Sequence, residues 1–345
     1  MKDHAWETYQ TMQHPQRPYG LLGKTLKHSF SPQLHAAIGA ALGEPYPYVL
    51  FEKQPEELAS FLQGDSWAGL NVTIPYKEAV IPYCDVLSDE ASEIGAVNTI
   101  VRDGERLIGH NTDYAGFRAL LRENGVAVRG ANCLVLGSGG ASKTVQCVLR
   151  DLGAAKVTVV SRSGDVNYTN ASQQQDAEIL VNTTPIGMYP NNGQAPLYPG
   201  SFTRLQWAVD VIYNPLRTNL LCQANKAGME TVGGLGMLIG QGIAAAELFL
   251  GRAIPQTIGA KIEKDMLLEK ENIVLIGMPG VGKTTVGMEI ADRMGREFYD
   301  IDQMIVYDDG REIPQIFAEE GEAYFRQLEQ KIVLSLANVT GAVIA

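Results

Sequence analysis

Residues 133–163, CLVLGSGGASKTVQCVLRDLGAAKVTVVSRS, decide the fold. A run of four largely apolar residues meets a glycine turn, a helical pattern follows and closes at Gly153, and a second apolar run ends at Ser161-Arg162-Ser163. Strand, turn, helix and strand in that order make a parallel crossover unit. Gly137, Gly139 and Gly140, with Ala141 behind them, stand where amides at a helix N-terminus would meet a pyrophosphate with no Cβ in the way. The strict G-x-G-x-x-G spacing fails at Ser142, so a plain tight turn is the competing reading. An acid at the end of the second strand would hold the ribose hydroxyl of NAD. Arg162 stands there instead, and a guanidinium suits the 2′-phosphate of NADP. A solvated turn residue is the alternative for Arg162.

Working outward, EILVNTT and WAVDVIYNP read as later strands of the same sheet, and a helix over about residues 237–250 follows the pair Gly233-Gly234. Upstream, residues 19–112 alternate YGLLG, a helix over about 32–42, YVLFE, a helix near 56–62, GLNVTIP and AVNTIV. That alternation predicts an α/β layer structure on a largely parallel sheet. Downstream, IEKDMLLEKE (262–271) is charged and free of turn residues, which predicts a helical tether. At Asn272 a third α/β start appears, NIVLIGMPGVGKTT.

The 345 residues fit two domains and a remainder at ~150 residues per domain. With 45% hydrophobic and 19% charged residues the composition is that of a globular protein, excluding a disordered chain or a disulfide-stapled mini-protein. The net charge of −11 is uneven: residues 262–345 hold 8 Lys+Arg against 16 Asp+Glu, a net of −8. With no basic stripe, nucleic acid is a poor partner, and an anionic ligand must be held by a few placed cations and amides. Cys84, Cys133, Cys147 and Cys222 show no metal spacing; Cys133 and Cys147 read as buried free thiols. The start has no apolar signal core, and GMLIGQGIAAAELFL is broken by Gln241 and Glu247 and too short to cross a bilayer, so no membrane role and a cytoplasmic location are expected.

Three polar clusters interrupt the first domain. His28-Ser29-Phe30-Ser31-Pro32 precedes a helix, and an ordinary N-cap would use one of its serines. Asn71 and Thr73 alternate along a strand toward Lys77, and Asn98-Thr99 and Asn111-Thr112-Asp113 end later runs. Together they supply neutral hydrogen-bonders, one ammonium and one carboxylate, as a small polyol requires. Hydride addition to a ketone builds alkoxide charge, so a proton donor must lie within reach of that oxygen. A lysine beside a carboxylate meets that need; a structural ion pair is the bland alternative.

HSFSPxxH, GLNVTIPYK, IGAVNTI, GHNTDYAGF, GSGGAS, NTTPIGM and GxGMLIGQ occur in that order, and residues 19–262 resemble shikimate dehydrogenase. The resemblance implies a substrate-binding open α/β domain beside a Rossmann-like NADP domain, and NADPH-dependent reversible reduction of 3-dehydroshikimate to shikimate. It implies Lys77 and Asp113 as the catalytic pair, and Ser29, Ser31, Asn71, Thr73, Asn98, Tyr213 and Gln241 as substrate residues. Gly137, Gly139, Gly140, Ala141, Ser161, Arg162, Ser163, Thr183, Pro185, Gly234 and Met237 would serve the cofactor. No metal is implied. The chain departs from the family after Arg162, where a second basic residue is usual and Gly164-Asp165-Val166 follows Ser163. A quinate/shikimate dehydrogenase of broader specificity is the alternative.

The last block, residues 277–284, matches G-x-x-x-x-G-K-[ST] between a strand and a helix, so Gly277, Gly282 and Lys283 would cradle phosphates and Thr284 would meet Mg. With FYDIDQMI and FAEEGEAYFRQLE it resembles the start of shikimate kinase, implying Asp302 and Arg326 on shikimate and Asp300 near the metal. The sequence stops at VIA, where that family's glycine-rich substrate loop should begin, so the expectation is a truncated or degenerate kinase-like segment without phosphoryl transfer. A bifunctional dehydrogenase–kinase in a longer protein, with ATP and Mg, is the alternative. The expected plan is an extension (1–18), a substrate domain (19–113 with about 236–262), a cofactor domain (114–235), a linker (263–271) and a P-loop segment (272–345), as a monomer or homodimer.

Overall fold

The computed structural model describes residues 17–26, 29–278, 280–337 and 339–345. Most of the expected N-terminal extension, His28 of the serine cluster and Pro279 of the P-loop lie outside the described residues. The chain divides into two compact units, Met1–Glu263 and Lys264–Ala345.

The first unit holds two sheets. One is built from β1 (Tyr19–Gly23), β2 (Tyr48–Glu52), β3 (Gly69–Val72), β4 (Val86–Leu87), β5 (Thr99–Asp103) and β6 (Arg106–His110), in the order β2-β1-β3-β5-β6-β4. Its helices are α1 (Ser31–Leu42), α2 (Leu58–Gln63) and α3 (Asp89–Ile94). Pro32 starts α1, and Gly43, at φ 69°, stops it. The sheet is less parallel than the sequence pattern suggests: β5 runs antiparallel to both β3 and β6. The reason is local. Only Gly104 and Glu105 join β5 to β6, a span that permits a hairpin and no crossover, and Gly104 supplies the positive φ of 65°.

The second sheet is wholly parallel, in the order β11-β10-β9-β7-β8. It comprises β7 (Asn132–Leu136), β8 (Lys156–Val160), β9 (Ile179–Asn182), β10 (Trp207–Asp210) and β11 (Glu230–Val232). Every residue of β9 is buried, as a strand covered on both faces must be. Cys133 and Cys147 are buried free thiols in the core against this sheet.

Two helices join the lobes of this unit. The chain leaves the first sheet through α4 (Thr112–Glu123), crosses the second by way of α5 (Gly140–Asp151) and α6 (Asn219–Lys226), and returns along α7 (Leu235–Leu250). Helices α4 and α7 pack backbone to backbone. A Cβ on Gly116 would lie 2.6 Å from the Met237 carbonyl oxygen and 2.7 Å from the Gln241 nitrogen; one on Gly240 would meet the Gly116 Cα at 3.0 Å. Helix α8 (Gln256–Lys270) covers the stretch read as a tether.

The second unit contains β12 (Ile273–Val274), α9 (Lys283–Met294), β13 (Phe298–Tyr299), α10 (Ile301–Asp309), α11 (Ile313–Glu319), α12 (Glu322–Ser335) and β14 (Val343–Ile344). Its parallel sheet, β12-β14-β13, pairs two residues per ladder, and Ile305, Ile316, Phe325, Leu328 and Ile332 form a helical core. No helix among the described residues is long and apolar enough to cross a membrane.

The helix crossing yields a prediction. Gly116→Ala gains up to ~1 kcal/mol of helix propensity but drives a methyl into backbone that cannot step aside. Denaturant titration of the variant should show a net loss of about 1–3 kcal/mol in the first unit; a gain would mean that the crossing tolerates a wider spacing.

Candidate active site

A cavity of about 450 Å³ opens between the two lobes of the first unit. Ser29, Ser31, Asn71, Thr73, Lys77, Asn98, Asp113, Tyr213 and Gln241 line it, together with Ala141, Gly234 and Met237. These residues come from the α1 entry, the β3 edge, the β5 entry, the first turn of α4, the loop after β10 and the inner face of α7. The fold thus brings to one place every substrate and catalytic residue that the resemblance names.

Lys77 Nζ donates to Asp113 Oδ2 at 2.6 Å, with the side chains 25% and 15% exposed. Asp113 also lies in the first turn of α4, where the helix dipole favours a carboxylate. The rest of the polar lining is neutral. Asn98 Oδ1 accepts from the Thr112 backbone nitrogen at 2.6 Å, from Thr112 Oγ1 at 3.2 Å and from Thr99 Oγ1 at 3.1 Å. Three donors on the oxygen turn the amide so that its NH2 is left for the cavity. Asn71 is held the same way: its Nδ2 donates to Thr99 Oγ1 at 3.0 Å, and its Oδ1 accepts from Tyr48 at 2.8 Å and lies 3.1 Å from His35 Nε2. Ser29 Oγ lies 3.3 Å from Ser31 Oγ, and Gln241 Nε2 donates to the Leu238 carbonyl at 2.8 Å. Tyr213 packs edge-on to Phe30 at 6.5 Å between centroids, and burial pushes its phenol above the ordinary value.

The dinucleotide loop lies at the head of α5. Gly139 and Gly140 face open space, so a ligand meets their backbone directly, and no side chain caps the helix. Gly137, at φ 105°, is pressed against Thr183, whose Oγ1 donates to the Leu136 carbonyl at 2.6 Å. Thr183 thereby shapes the loop; it and the exposed Pro185 stand outside the lining of the main cavity. The Ser161 nitrogen bonds to the Val166 carbonyl at 3.1 Å, closing a turn that displays Arg162. Arg162 lines a second cavity, about 360 Å³, with Asn167, Tyr168 and Thr169. Uncapped amides, an unobstructed glycine edge and a guanidinium beside neutral donors fit a phosphorylated dinucleotide. Ser161 and Ser163 line neither cavity.

Two buried groups had no place in the sequence reading. His35, quoted only as the end of HSFSPxxH, is pushed down to about 3 by burial, against a smaller opposing effect of its bond to Asn71. Asp210 ends β10 with no solvent exposure. It accepts from Asn182 Nδ2 at 3.1 Å, the Ile212 nitrogen at 3.0 Å and Thr218 Oγ1 at 2.7 Å. Burial raises its carboxyl to about 6, and those three bonds oppose the rise. Asp210 thus ties the end of β9, the loop bearing Tyr213 and the start of α6. A hydrophobic run ending in a lone acid was the available signal.

In the second unit, Lys283 Nζ bonds to the carbonyls of Gly277 and Met278 at 3.0 and 3.2 Å, and Thr284 Oγ1 donates to Asp300 Oδ2 at 2.8 Å. Gly282, at φ 88°, caps α9. Arg326 pairs with Glu329 at 2.8 Å and Glu322 at 3.4 Å on an exposed face. Among the described residues no hydrogen bond or ion pair joins it to Asp302.

Comparison with known proteins follows these divisions. Residues 21–100 match the model of the shikimate dehydrogenase substrate-binding domain, and residues 279–345 that of shikimate kinase. A shikimate dehydrogenase (NADP(+)) of Clostridium beijerinckii is 38% identical over 245 residues, 67% of this chain and 91% of that protein. Among solved structures, a chorismate mutase/shikimate 5-dehydrogenase fusion protein from Clostridium acetobutylicum is similar at TM-score 0.70 and 35% identity, covering 73% of this chain and 98% of that one. The shikimate 5-dehydrogenase of Thermus thermophilus in complex with NADP(H) and shikimate is similar at TM-score 0.66 and 32% identity, covering 72% and 99%.

The buried carboxyl generates a pH prediction. Native Asp210 keeps its proton to about pH 6, whereas the unfolded chain releases it near the ordinary 3.8, so its contribution to stability falls as pH rises through that window. Relative to Asp210→Asn, the wild type should lose up to about 3 kcal/mol between pH 4 and 7 in denaturant titrations. A difference that stays flat across that range would mean the carboxyl titrates normally.

Proposed function

The chain belongs to the shikimate dehydrogenase family and is an NADP(H)-dependent oxidoreductase; on that premise we propose that it reversibly reduces 3-dehydroshikimate to shikimate, with Lys77 and Asp113 as the acid–base pair. The observation that carries the pair is the 2.6 Å contact between Lys77 Nζ and Asp113 Oδ2 at the wall of a cavity whose other polar groups are neutral.

NADP(H), when bound, supplies or takes up the hydride. The protein's own residues do the rest. Lys77 presents its remaining N–H groups to the substrate oxygen on which charge builds, and Asp113 Oδ2 holds the lysine in place through one of them. Asn71 and Asn98, turned so that their NH2 groups face acceptors, bind the ring hydroxyls with Thr73 and Gln241. Ser29 and Ser31 donate to the carboxylate, and Tyr213 closes that side. Gly137, Gly139, Gly140 and Ala141 offer amides to the pyrophosphate, Arg162 pairs with the 2′-phosphate, and Gly234 and Met237 leave a flat apolar place for the nicotinamide.

The kinase-like segment is, in this reading, inactive in phosphoryl transfer. Its sheet pairs only two residues per ladder, a slight scaffold for a phosphate-binding loop.

The central test is reduced-nicotinamide formation with shikimate or quinate and with NADP+ or NAD+. Turnover with shikimate and NADP+ is expected; none with any combination would sink the proposal. Lys77→Ala should lower kcat about 10²- to 10⁴-fold and leave KM for shikimate within a few-fold. An unchanged kcat would remove Lys77 from the proton transfer. Coupled assays should detect no shikimate-dependent ATP consumption; a signal would show that the second unit is a working kinase.

A further inference from the structure

Asn71 is built into a chain of groups that leaves its amide no freedom. Its Oδ1 faces two neighbours at bonding distance, the Tyr48 hydroxyl at 2.8 Å and His35 Nε2 at 3.1 Å. A carboxamide oxygen can only accept, so Tyr48 donates to it and His35 carries its proton on Nε2. His35 Nδ1 is then an acceptor and takes the hydrogen of Tyr46, whose oxygen is 2.9 Å away. The rings are locked as well: Tyr48 stacks on His35 at 4.0 Å between centroids and 9° between planes, with His35 buried and Tyr48 half-buried.

On the other side, Asn71 Nδ2 spends one hydrogen on Thr99 Oγ1 at 3.0 Å and reaches the Asn98 carbonyl only at 3.5 Å. Its second hydrogen is therefore weakly held, beside the cavity that Asn71 lines. A flipped amide would set its oxygen against the Asn98 carbonyl and leave Tyr48 without its acceptor.

We infer that Tyr48 and His35 are positioning residues for substrate recognition: together they fix the Asn71 amide as a pure donor toward the cavity. Neither touches substrate. The inference rests on the proposed role of Asn71 in binding shikimate. It specifies the ligand atom that Asn71 reads, an acceptor such as a hydroxyl oxygen. His35 is neutral at every pH at which the enzyme would be assayed, so it acts by geometry and not by charge.

The test uses the full chain, shikimate and NADP+. Tyr48→Phe keeps the stacked ring and deletes the hydroxyl that donates to Asn71 Oδ1. KM for shikimate should rise about tenfold while kcat and KM for NADP+ stay within about twofold, the mark of lost binding that is uniform along the reaction. His35→Leu should act in the same direction, and His35→Gln, whose amide can donate again to Asn71 Oδ1, should recover part of the loss. Asn71→Ala serves as the reference. If it leaves KM for shikimate unchanged, the placement of Asn71 in the substrate site fails and this inference with it. If Asn71→Ala raises KM but Tyr48→Phe does not, the inference alone is overturned. A parallel fall of kcat and of affinity for both ligands in Tyr48→Phe, with a lowered melting temperature, would reduce Tyr48 to a core residue and overturn it equally.

Discussion

The contact of Gly116 with Gly240 governs the geometry of the first unit. Helix α4 carries Asp113 in its first turn and leads into the parallel sheet; α7 carries Met237 and Gln241 and leads back. These elements bring the two lobes together at a separation set by backbone atoms and not by adaptable side chains. Backbone contacts cannot relax as a long side chain can, so the positions of Asp113 on one helix and of Met237 and Gln241 on the other follow from this crossing. A cleft whose walls come from two sheets needs such a rigid register if a hydride and a proton are to move at neighbouring atoms.

Within the cleft, most of the polar lining consists of oriented neutral groups. Asn98 and Asn71 have their carbonyl oxygens turned inward by hydroxyl, imidazole and backbone donors, so each offers hydrogens outward. Among the described residues, the only ion pair in the lining is Lys77–Asp113, which nets no charge. An amide clamped by buried partners costs little ordering when a hydroxyl arrives, and it rejects a group that cannot accept. Asp210 shows the same economy on the cofactor side, where a buried carboxyl without a cation organises three segments through neutral donors.

The two units differ in character. Most of the formal charge, −8 of −11, falls in residues 262–345, so the dehydrogenase unit is nearly neutral, and the features that suit an anion, the uncapped head of α5 and Arg162, are local. The second unit couples a complete P-loop spacing to short strands and many exposed apolar side chains, among them Ile276 and Met278 on the loop itself. Dehydrogenase and kinase motifs that share shikimate give the chain a coherent chemical theme.

Much was legible in the order of residues. Glycine spacing after an apolar strand, the alternation of strands and helices, Arg162 at the second strand end and the seven ordered blocks depend on local chemistry, which sequence displays directly. The antiparallel hairpin was legible too, in Asp103-Gly104, but the eye follows apolar runs and RLIGH alternates too weakly to stand out. What sequence alone determined was the identity of the chemical groups and the class of fold. Only tertiary structure decided which way those groups point. His35 and Tyr48 lie 23 to 36 residues from Asn71 along the chain, and Asp210 lies 28 from Asn182. Hydrogen bonds of that range arise from sheet order and helix crossing, and neither is written in any local pattern.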